Sequence, residues 1–395
     1  MAPSFLLGLL AMAHGATLDV GGHAKTFVLA VWPYEHPLLP QDPFAQSTLS
    51  GRLTLALRHE EWLRVDVHPE VSLLAGTLSG FGSIATGVGQ EAPEAIPLTW
   101  DLEDSDALIA RLRVDRAAAT LARPGFEATL GRQPITFGEG RLFTPLDLVA
   151  PFTPATLDTE YKPGVDAFRA DLFSGTSSVL TAVAAYLGDW TPEGSALALH
   201  GRTTLASTDL ALFAGLVYGE PVLGASASGS IGPVGVYGDL AATITDDGTQ
   251  GRGVLGLLWR PTDTTTVIGE VYGQSFGSGD PDEYLTFAVD DRWMRGDLWL
   301  YGHAYAGLSV GQEITPLVSA NALVLGNLLD PSALVGGTLA WSAAEDADLA
   351  LGILAGAGQR PHEPSSCVPL EACLGVRSEF GLVPVVGYLQ TRFYF

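Results

Sequence analysis

Charge is scarce in this sequence, and positive charge most of all. Of 395 residues only 16% are charged, where a soluble domain carries about a quarter. Twenty Lys and Arg stand against 44 Asp and Glu, for a net charge of -24. Phosphate would be repelled by such a chain, which excludes nucleic acid as a partner. Long apolar runs are missing too. Hydrophobic residues make up 47% and the mean hydropathy is +0.25, yet beyond residue 16 no stretch approaches the 18 or so apolar residues of a spanning helix. Cysteine is nearly absent. Cys367 and Cys373, with only His362 nearby, are too few ligands for a metal site. In an oxidising compartment they would most simply form a disulfide that pins one loop; two unpaired thiols are the alternative. The eight His are scattered without partners at ligand spacing, and no motif asks for a cofactor. Gly273-Gln274-Ser275-Phe276-Gly277 fits the hydrolase G-x-S-x-G pattern, but it follows a strand and enters an acidic Gly-rich loop where that pattern needs a helix.

What is present is alternation. Only helices and closed barrels satisfy the backbone in lipid. A hydrophobic chain with no long apolar run therefore points to a transmembrane antiparallel β-barrel, an all-β fold. Its last strand shows the pattern best. Val385, Gly387, Leu389, Thr391, Phe393 and Phe395 share one mostly apolar face, and Tyr388, Gln390, Arg392 and Tyr394 share the wetter one. In a soluble sheet this would be an open edge inviting aggregation; in a barrel the last strand pairs with the first. The terminal aromatics Phe393 and Phe395 resemble the C-terminal signal of bacterial outer-membrane β-barrels. The resemblance implies recognition by the barrel-assembly machinery and an outer membrane with its lipid and lipopolysaccharide as surroundings.

Residues 1–15 read as a secretory signal, with the apolar core Phe5–Ala13 and the small-residue site Ala13-His14-Gly15, although a basic start is missing. Residues 16–395 then form one barrel domain. In the hairpin Gly51–Leu74, Leu53, Leu55, Leu57, Leu63, Val65 and Val67 alternate with Arg52, Thr54, Arg58, Arg64, Asp66 and His68. Charges at every second position suit a water-filled lumen, though a soluble sheet with one wet face gives the same pattern. Ile109–Asp115 repeats the scheme, and later strands are poor in charge and rich in Gly and Ala on the inner face. Short links are expected near Glu60, Ala118, Ser174, Ser207, Gly232, Pro261 and Ala344. Longer links are expected at 31–49, 75–106, 133–164, 188–193, 246–250, 277–296 and 359–383. With Ala24–Ala30 as the first strand and Asp297–Leu308 as a late one, the count is about 18, or 16 if the weakest segments fail. Trp62, Trp259, Tyr272, Trp341, Phe393 and Phe395 fall near strand ends, as interfacial girdles require.

The most distinctive segment is Gly131-Arg132-Gln133-Pro134-Ile135-Thr136-Phe137-Gly138-Glu139-Gly140-Arg141, continuing to Gly164 without strand period. Long ordered loops tend to carry function. Gly-Arg-Gln after a strand, with a Gly-rich turn behind it, is similar to the alginate-export and related porin-like outer-membrane families over about 40 residues. The resemblance implies a channel whose loop folds inward to narrow the pore. Nine of the 20 cationic residues lie between Arg52 and Arg141. Arg52, Arg64, Arg111, Arg113, Arg132, Arg141 and Arg169 make a candidate wall facing Asp147, Asp158 and Glu160, a transverse field able to select solutes. Equally, these charges could pair to keep the wall folded. Acidic clusters at Glu91–Asp106 and Asp280–Asp291 read as outer loops, solvated or bridging cations to lipid headgroups.

The expectation is thus an outer-membrane porin passing small polar or charged solutes by diffusion. It is not an enzyme. The alternatives are a selective exporter of an anionic polysaccharide, a barrel lipase, or a plugged structural or adhesion barrel. Solute, oligomeric state and strand count stay open.

Overall fold

The computed structural model describes residues 15–35, 42–76, 92–105, 108–152, 158, 160–287, 290–362 and 375–395. The leader core, both cysteines, Glu91 and Asp106 lie outside the described residues. The chain forms β1 (Ala16–Trp32), β2 (Phe44–His59), β3 (Leu63–Gly76), β4 (Thr99–Ser105), β5 (Leu108–Arg123), β6 (Phe126–Gln133), β7 (Val165–Ser174), β8 (Ser178–Tyr186), β9 (Ser195–Leu205) and β10 (Thr208–Val217). It continues through β11 (Glu220–Ile231), β12 (Val234–Thr245), β13 (Gly248–Thr262), β14 (Thr265–Gln274), β15 (Ala304–Thr315), β16 (Val318–Asn327), β17 (Ser332–Ala344), β18 (Ala347–Ala357) and β19 (Val385–Tyr394).

Each wall strand pairs antiparallel with its neighbour in sequence, and β19 closes on β1 from Trp32↔Val385 to His23↔Tyr394. The terminal Phe395 exchanges both backbone hydrogen bonds with Gly22, at 2.9 and 3.0 Å. No edge is left at the seam, which is how a barrel avoids edge pairing. The wall has 18 strands; β4 is the nineteenth and stands apart. It pairs only with the Leu108–Arg113 part of β5. β6 stops at Gln133 opposite the lower half of β5, so the upper edge of β5 would otherwise present unpaired backbone groups. β4 folds back from the loop between β3 and β5 and takes up that edge.

The period-2 pattern decides the faces. Leu130, Leu212, Leu240 and Leu255 point outward and are 61 to 69% exposed, while Asp239, next to Leu240, points inward and is 1% exposed. Only lipid makes an outward belt of leucines stable around a whole barrel. Trp259, Trp341, Phe393 and Phe395 stand outward near the ends of their strands, as girdles do. Tyr272 does not. It points into the lumen, 7% exposed, stacked on Phe143 at 5.1 Å.

Tight turns join strands at one end, where β1 begins and β19 ends, and the longer loops crowd the other. Several boundaries differ from the sequence reading. Ala118 lies inside β5, whose turn is Pro124-Gly125, because Ala117–Thr120 has no residue that breaks a strand. Asp246-Asp247 is a two-residue turn and not a long link. Asp297–Leu300 belongs to a loop; β15 begins at Ala304. That loop, between β14 and β15, carries two one-turn helices, α1 (Tyr284–Phe287) and α2 (Asp291–Met294). Asp280 accepts the Asp282 N–H and Asp290 accepts the Arg292 N–H. Part of this acidic cluster therefore caps turns.

Candidate constriction

The segment between β6 and β7 leaves the wall and crosses the lumen. Its departure is set by Gly131, whose φ of +118° is open to glycine and whose absent Cβ would collide with the Ala117 carbonyl. Ile135, Phe137, Leu146, Leu148 and Val149 then pack on a bare inner wall of Ala167, Val183, Ala185, Ala196, Ala198 and Phe213. Leu146 fills the space left by Gly224. This explains the small inner residues of β7 to β12: large ones would exclude the loop. Further along, Leu142 and Phe143 occupy the space beside Gly307, and Phe143 stacks with Tyr272 and Trp299.

The tip of the loop is held by two wall carboxylates that the sequence reading did not single out. Asp239 on β12 accepts the backbone N–H groups of Glu139 at 2.9 Å and Gly140 at 2.9 Å. Glu270 on β14 accepts those of Arg141 at 2.8 Å, Leu142 at 3.0 Å and Phe143 at 2.8 Å, and the Tyr237 hydroxyl at 2.7 Å. Five consecutive amides thus end on two buried anions, the strong kind of hydrogen bond. The available signal was a lone carboxylate at an inward position of otherwise charge-poor strands.

The predicted cations divide into groups. Arg132 is fully enclosed. Its five N–H groups reach Asp166 at 2.9 and 3.0 Å, Glu94 at 2.6 Å and the carbonyls of Val114 and Ile96. It ties the segment 94–98 to the wall. Arg52 bridges Asp115 at 2.6 Å and Glu70 at 2.5 Å and lies over the Tyr161 ring at 4.5 Å. Arg113 reaches Glu94 at 3.6 Å and Asp115 at 3.9 Å. Arg111 pairs with Asp101 of β4 at 2.6 Å. Asp158 and Glu160 come to this same wall but meet Lys25, at 3.0 and 2.7 Å, a residue the reading passed over. Asp147 is bound to Lys162 within the loop. Burial raises the Asp147 carboxyl above its ordinary value and lowers the Lys162 amine, each opposed by the charge of the other.

Three predicted cations lie elsewhere. Arg64 is half exposed near the tight-turn end and pairs with Asp66 at 2.7 Å. Arg169 pairs with Asp171 at 2.8 Å. Arg141 sits on the loop tip, exposed, with its guanidinium 5.5 Å from the Tyr237 ring. Among the G-x-S-x-G residues, the Ser275 hydroxyl donates to Gln250 at 2.6 Å, and His303 bonds to the carbonyls of Gln274 and Phe276.

A second charged cluster anchors the loop between β14 and β15. Asp297 is bound by Arg252 at 2.7 Å and Arg292 at 3.1 Å, and Arg295 lies over the Tyr218 ring at 4.1 Å. Burial alone would raise the Asp297 carboxyl, but the three guanidiniums of Arg252, Arg295 and Arg292 hold it at about 2. A carboxyl held down in this way stabilises the anchor above its ordinary value near 4 and loses that contribution as pH falls through about 2. Hydrogen exchange of residues 290–298 is therefore expected to stay protected at pH 3.5 and to rise only near pH 2. A rise already complete at pH 3.5 would contradict the anchor.

An 18-strand barrel with an apolar outer belt, a charged inner wall and a loop folded into the lumen defines the porin-type outer-membrane β-barrel. The solved structures agree. The chain is similar to OccAB1 of Acinetobacter baumannii, with 9% identity, a TM-score of 0.59 and 96% of each chain covered. It is also similar to the outer membrane protein OpdK of Pseudomonas aeruginosa, with 11% identity, a TM-score of 0.57, and 96% and 98% covered. For OccAB4 of Acinetobacter baumannii the values are 8%, 0.59, and 96% and 98%. No protein-family model and no curated protein sequence matches the chain. Fold and outer belt together make this a membrane-spanning barrel with the fold of the bacterial outer-membrane porins.

Proposed function

We propose that the protein is a channel through which small polar or charged solutes diffuse, narrowed by the loop 134–164. The observation that carries this reading is the clamping of five consecutive loop amides by Asp239 and Glu270 on the opposite wall. A loop fixed across a lumen sets its width, and charge at that depth sets its selectivity. Lys25, Arg52 and Arg113 with Asp158, Glu160 and Glu94 form one side of the passage in this proposal, backed by the enclosed pair of Arg132 and Asp166. Arg141, Arg169 and Arg64 follow toward the periplasm. Diffusion through a channel involves no chemical step, and this proposal reads the protein as a non-enzyme.

The same reading makes residues 1–15 a cleaved leader and 16–395 the barrel, with Cys367 and Cys373 as a disulfide. The strand ending in Phe393 and Phe395 is the segment handed to the assembly machinery, and the outer belt meets lipid and lipopolysaccharide.

The test is single-channel conductance of refolded protein in a planar bilayer under a salt gradient. Stable open steps are expected, and the sign of the reversal potential reports whether cations or carboxylates of the wall dominate. Substituting Arg111→Ala and Arg113→Ala together is expected to shift that potential toward cation preference; an unchanged potential and conductance would remove this wall from the pore. A second reading has a specific observation in its favour. Phe27, Leu29, Tyr305, Leu325, Leu334 and Phe380 fill part of the outer lumen, as in a plugged structural barrel. Silent bilayers with folded protein would select it.

A further inference from the structure

The last long connection, between β18 and β19, returns to the barrel as segment 375–384. It dips into the outer lumen, where Phe380 packs among Tyr305, Leu334, Leu354 and Val386. The residue before Phe380 is an acid, Glu379, only 5% exposed. Its carboxyl gathers three other parts of the outer mouth. Oε1 accepts the Tyr301 backbone N–H at 3.0 Å, from the loop between β14 and β15. Oε2 accepts the Tyr305 hydroxyl at 2.5 Å, from the start of β15, and the Asn327 amide at 2.7 Å, from the end of β16. The Glu379 backbone N–H donates to Asp330 at 2.6 Å, in the link before β17.

The groups facing this carboxyl are Tyr301 and Tyr284 of one loop, Tyr305 of β15 and Asp330 of the link. None is a cation. Arg360, on the same connection, spends its guanidinium on the carbonyls of Gly356, Gly381 and Val383. A buried acid with a second acid beside it and no counter-charge among the described residues favours the neutral form.

We propose that Glu379 is a proton-operated latch: while its carboxyl is protonated, segment 375–384 stays docked in the outer mouth, and loss of that proton releases the segment and Phe380 with it. The three donors Tyr301, Tyr305 and Asn327 favour the charged form, but the neutral form also finds partners here: Oε1 still accepts from Tyr301 and a proton on Oε2 is in reach of the Tyr305 oxygen. Burial outweighs the hydrogen bonds from Tyr305, Tyr301 and Asn327, which favour the charge, and with the smaller push of the Asp330 charge it raises the Glu379 carboxyl to about 7 from its ordinary 4.5. A raised value means that docking is at full strength below the ordinary value and weakens as pH rises to about 7. The docked-to-released ratio then falls roughly 300-fold across that window and levels off above it. Deprotonation needs only hydroxide or water as acceptor.

The latch acts on the channel proposed above, but its test does not depend on conduction. Hydrogen exchange of residues 375–384 in the refolded barrel, corrected for intrinsic rates, is measured from pH 4.5 to 8.5. Wild type is expected to lose protection toward pH 7 and then level off. E379Q, which is always neutral, is expected to remain protected throughout. D330N removes the neighbouring charge and is expected to level off at lower pH with a smaller total change, so the idea stays testable if E379Q folds poorly. A corrected exchange rate flat with pH in wild type, or the same slope in E379Q, would overturn the latch. Silent bilayers with pH-dependent exchange would overturn the channel reading alone.

Discussion

Replacing Asp239 by Asn and Glu270 by Gln together is expected to raise the single-channel conductance and to make the open state noisy, while the barrel stays folded. The two carboxylates accept five consecutive amides of the loop tip. Hydrogen bonds to charged groups contribute about 1.5–3 kcal/mol each. An amide keeps one acceptor oxygen but turns an NH2 donor toward groups that are donors themselves. A loss of about 3–6 kcal/mol for the pair is a reasonable scale, which shifts the tip from clamped to free by at least roughly 100-fold. The body of the loop remains packed through Ile135, Phe137 and Leu146, so the change is confined to the tip, where the passage is narrowest in our reading. Asp19→Asn, at an exposed pair with Arg58, serves as the control and should leave the current unchanged. A double variant with wild-type conductance and noise would mean that the clamp does not set the width.

The second large effect concerns stability. Arg132→Ala is expected to lower the temperature at which the folded band disappears in heat-modifiable gel migration, and to cost about 3–5 kcal/mol. All five guanidinium donors are engaged, and the side chain is 1% exposed. Removing it strands Asp166 without its cation and leaves Glu94 only the longer contact to Arg113, at the place where β6 leaves the wall. Arg132→Lys keeps the charge but not the fork, and is expected to fall between. Arg64→Ala, at a half-exposed pair, is expected to change stability by about 0–1 kcal/mol. Equal effects of the Arg132 and Arg64 substitutions would contradict this division between a buried tie and a surface pair.

These two cases mark where sequence reading succeeds and where it stops. The barrel was legible because lipid imposes a strict rule on every strand: one face apolar, the next residue free to be polar. That rule acts locally, so Leu240 and Asp239, or Leu255 and Val254, reveal their faces from neighbours alone. The seam was legible for the same reason, in the alternation from Val385 to Phe395. The loop after Gly131 stood out by lacking the period, and the Gly and Ala of the later strands were visible before their purpose was.

The partners of the charges were not legible. Asp158 and Glu160 were matched in expectation to arginines, yet they meet Lys25, 133 residues from Asp158 in the chain. Asp239 and Glu270 lie about 100 to 130 residues from the amides they accept. Backbone N–H groups carry no residue-type signal, so nothing in the letters at 139–143 announces an anion's site. Tyr272 was placed at the interface by its position near a strand end, but its face points inward, and a one-residue shift of register exchanges lipid for lumen. The sequence by itself determined the transmembrane barrel, its approximate strand number, its lipid-facing belt and the identity of the inward loop. Only the tertiary structure decided which carboxylate holds which cation or amide, because closure of the barrel brings into contact residues whose separation along the chain no local period can encode.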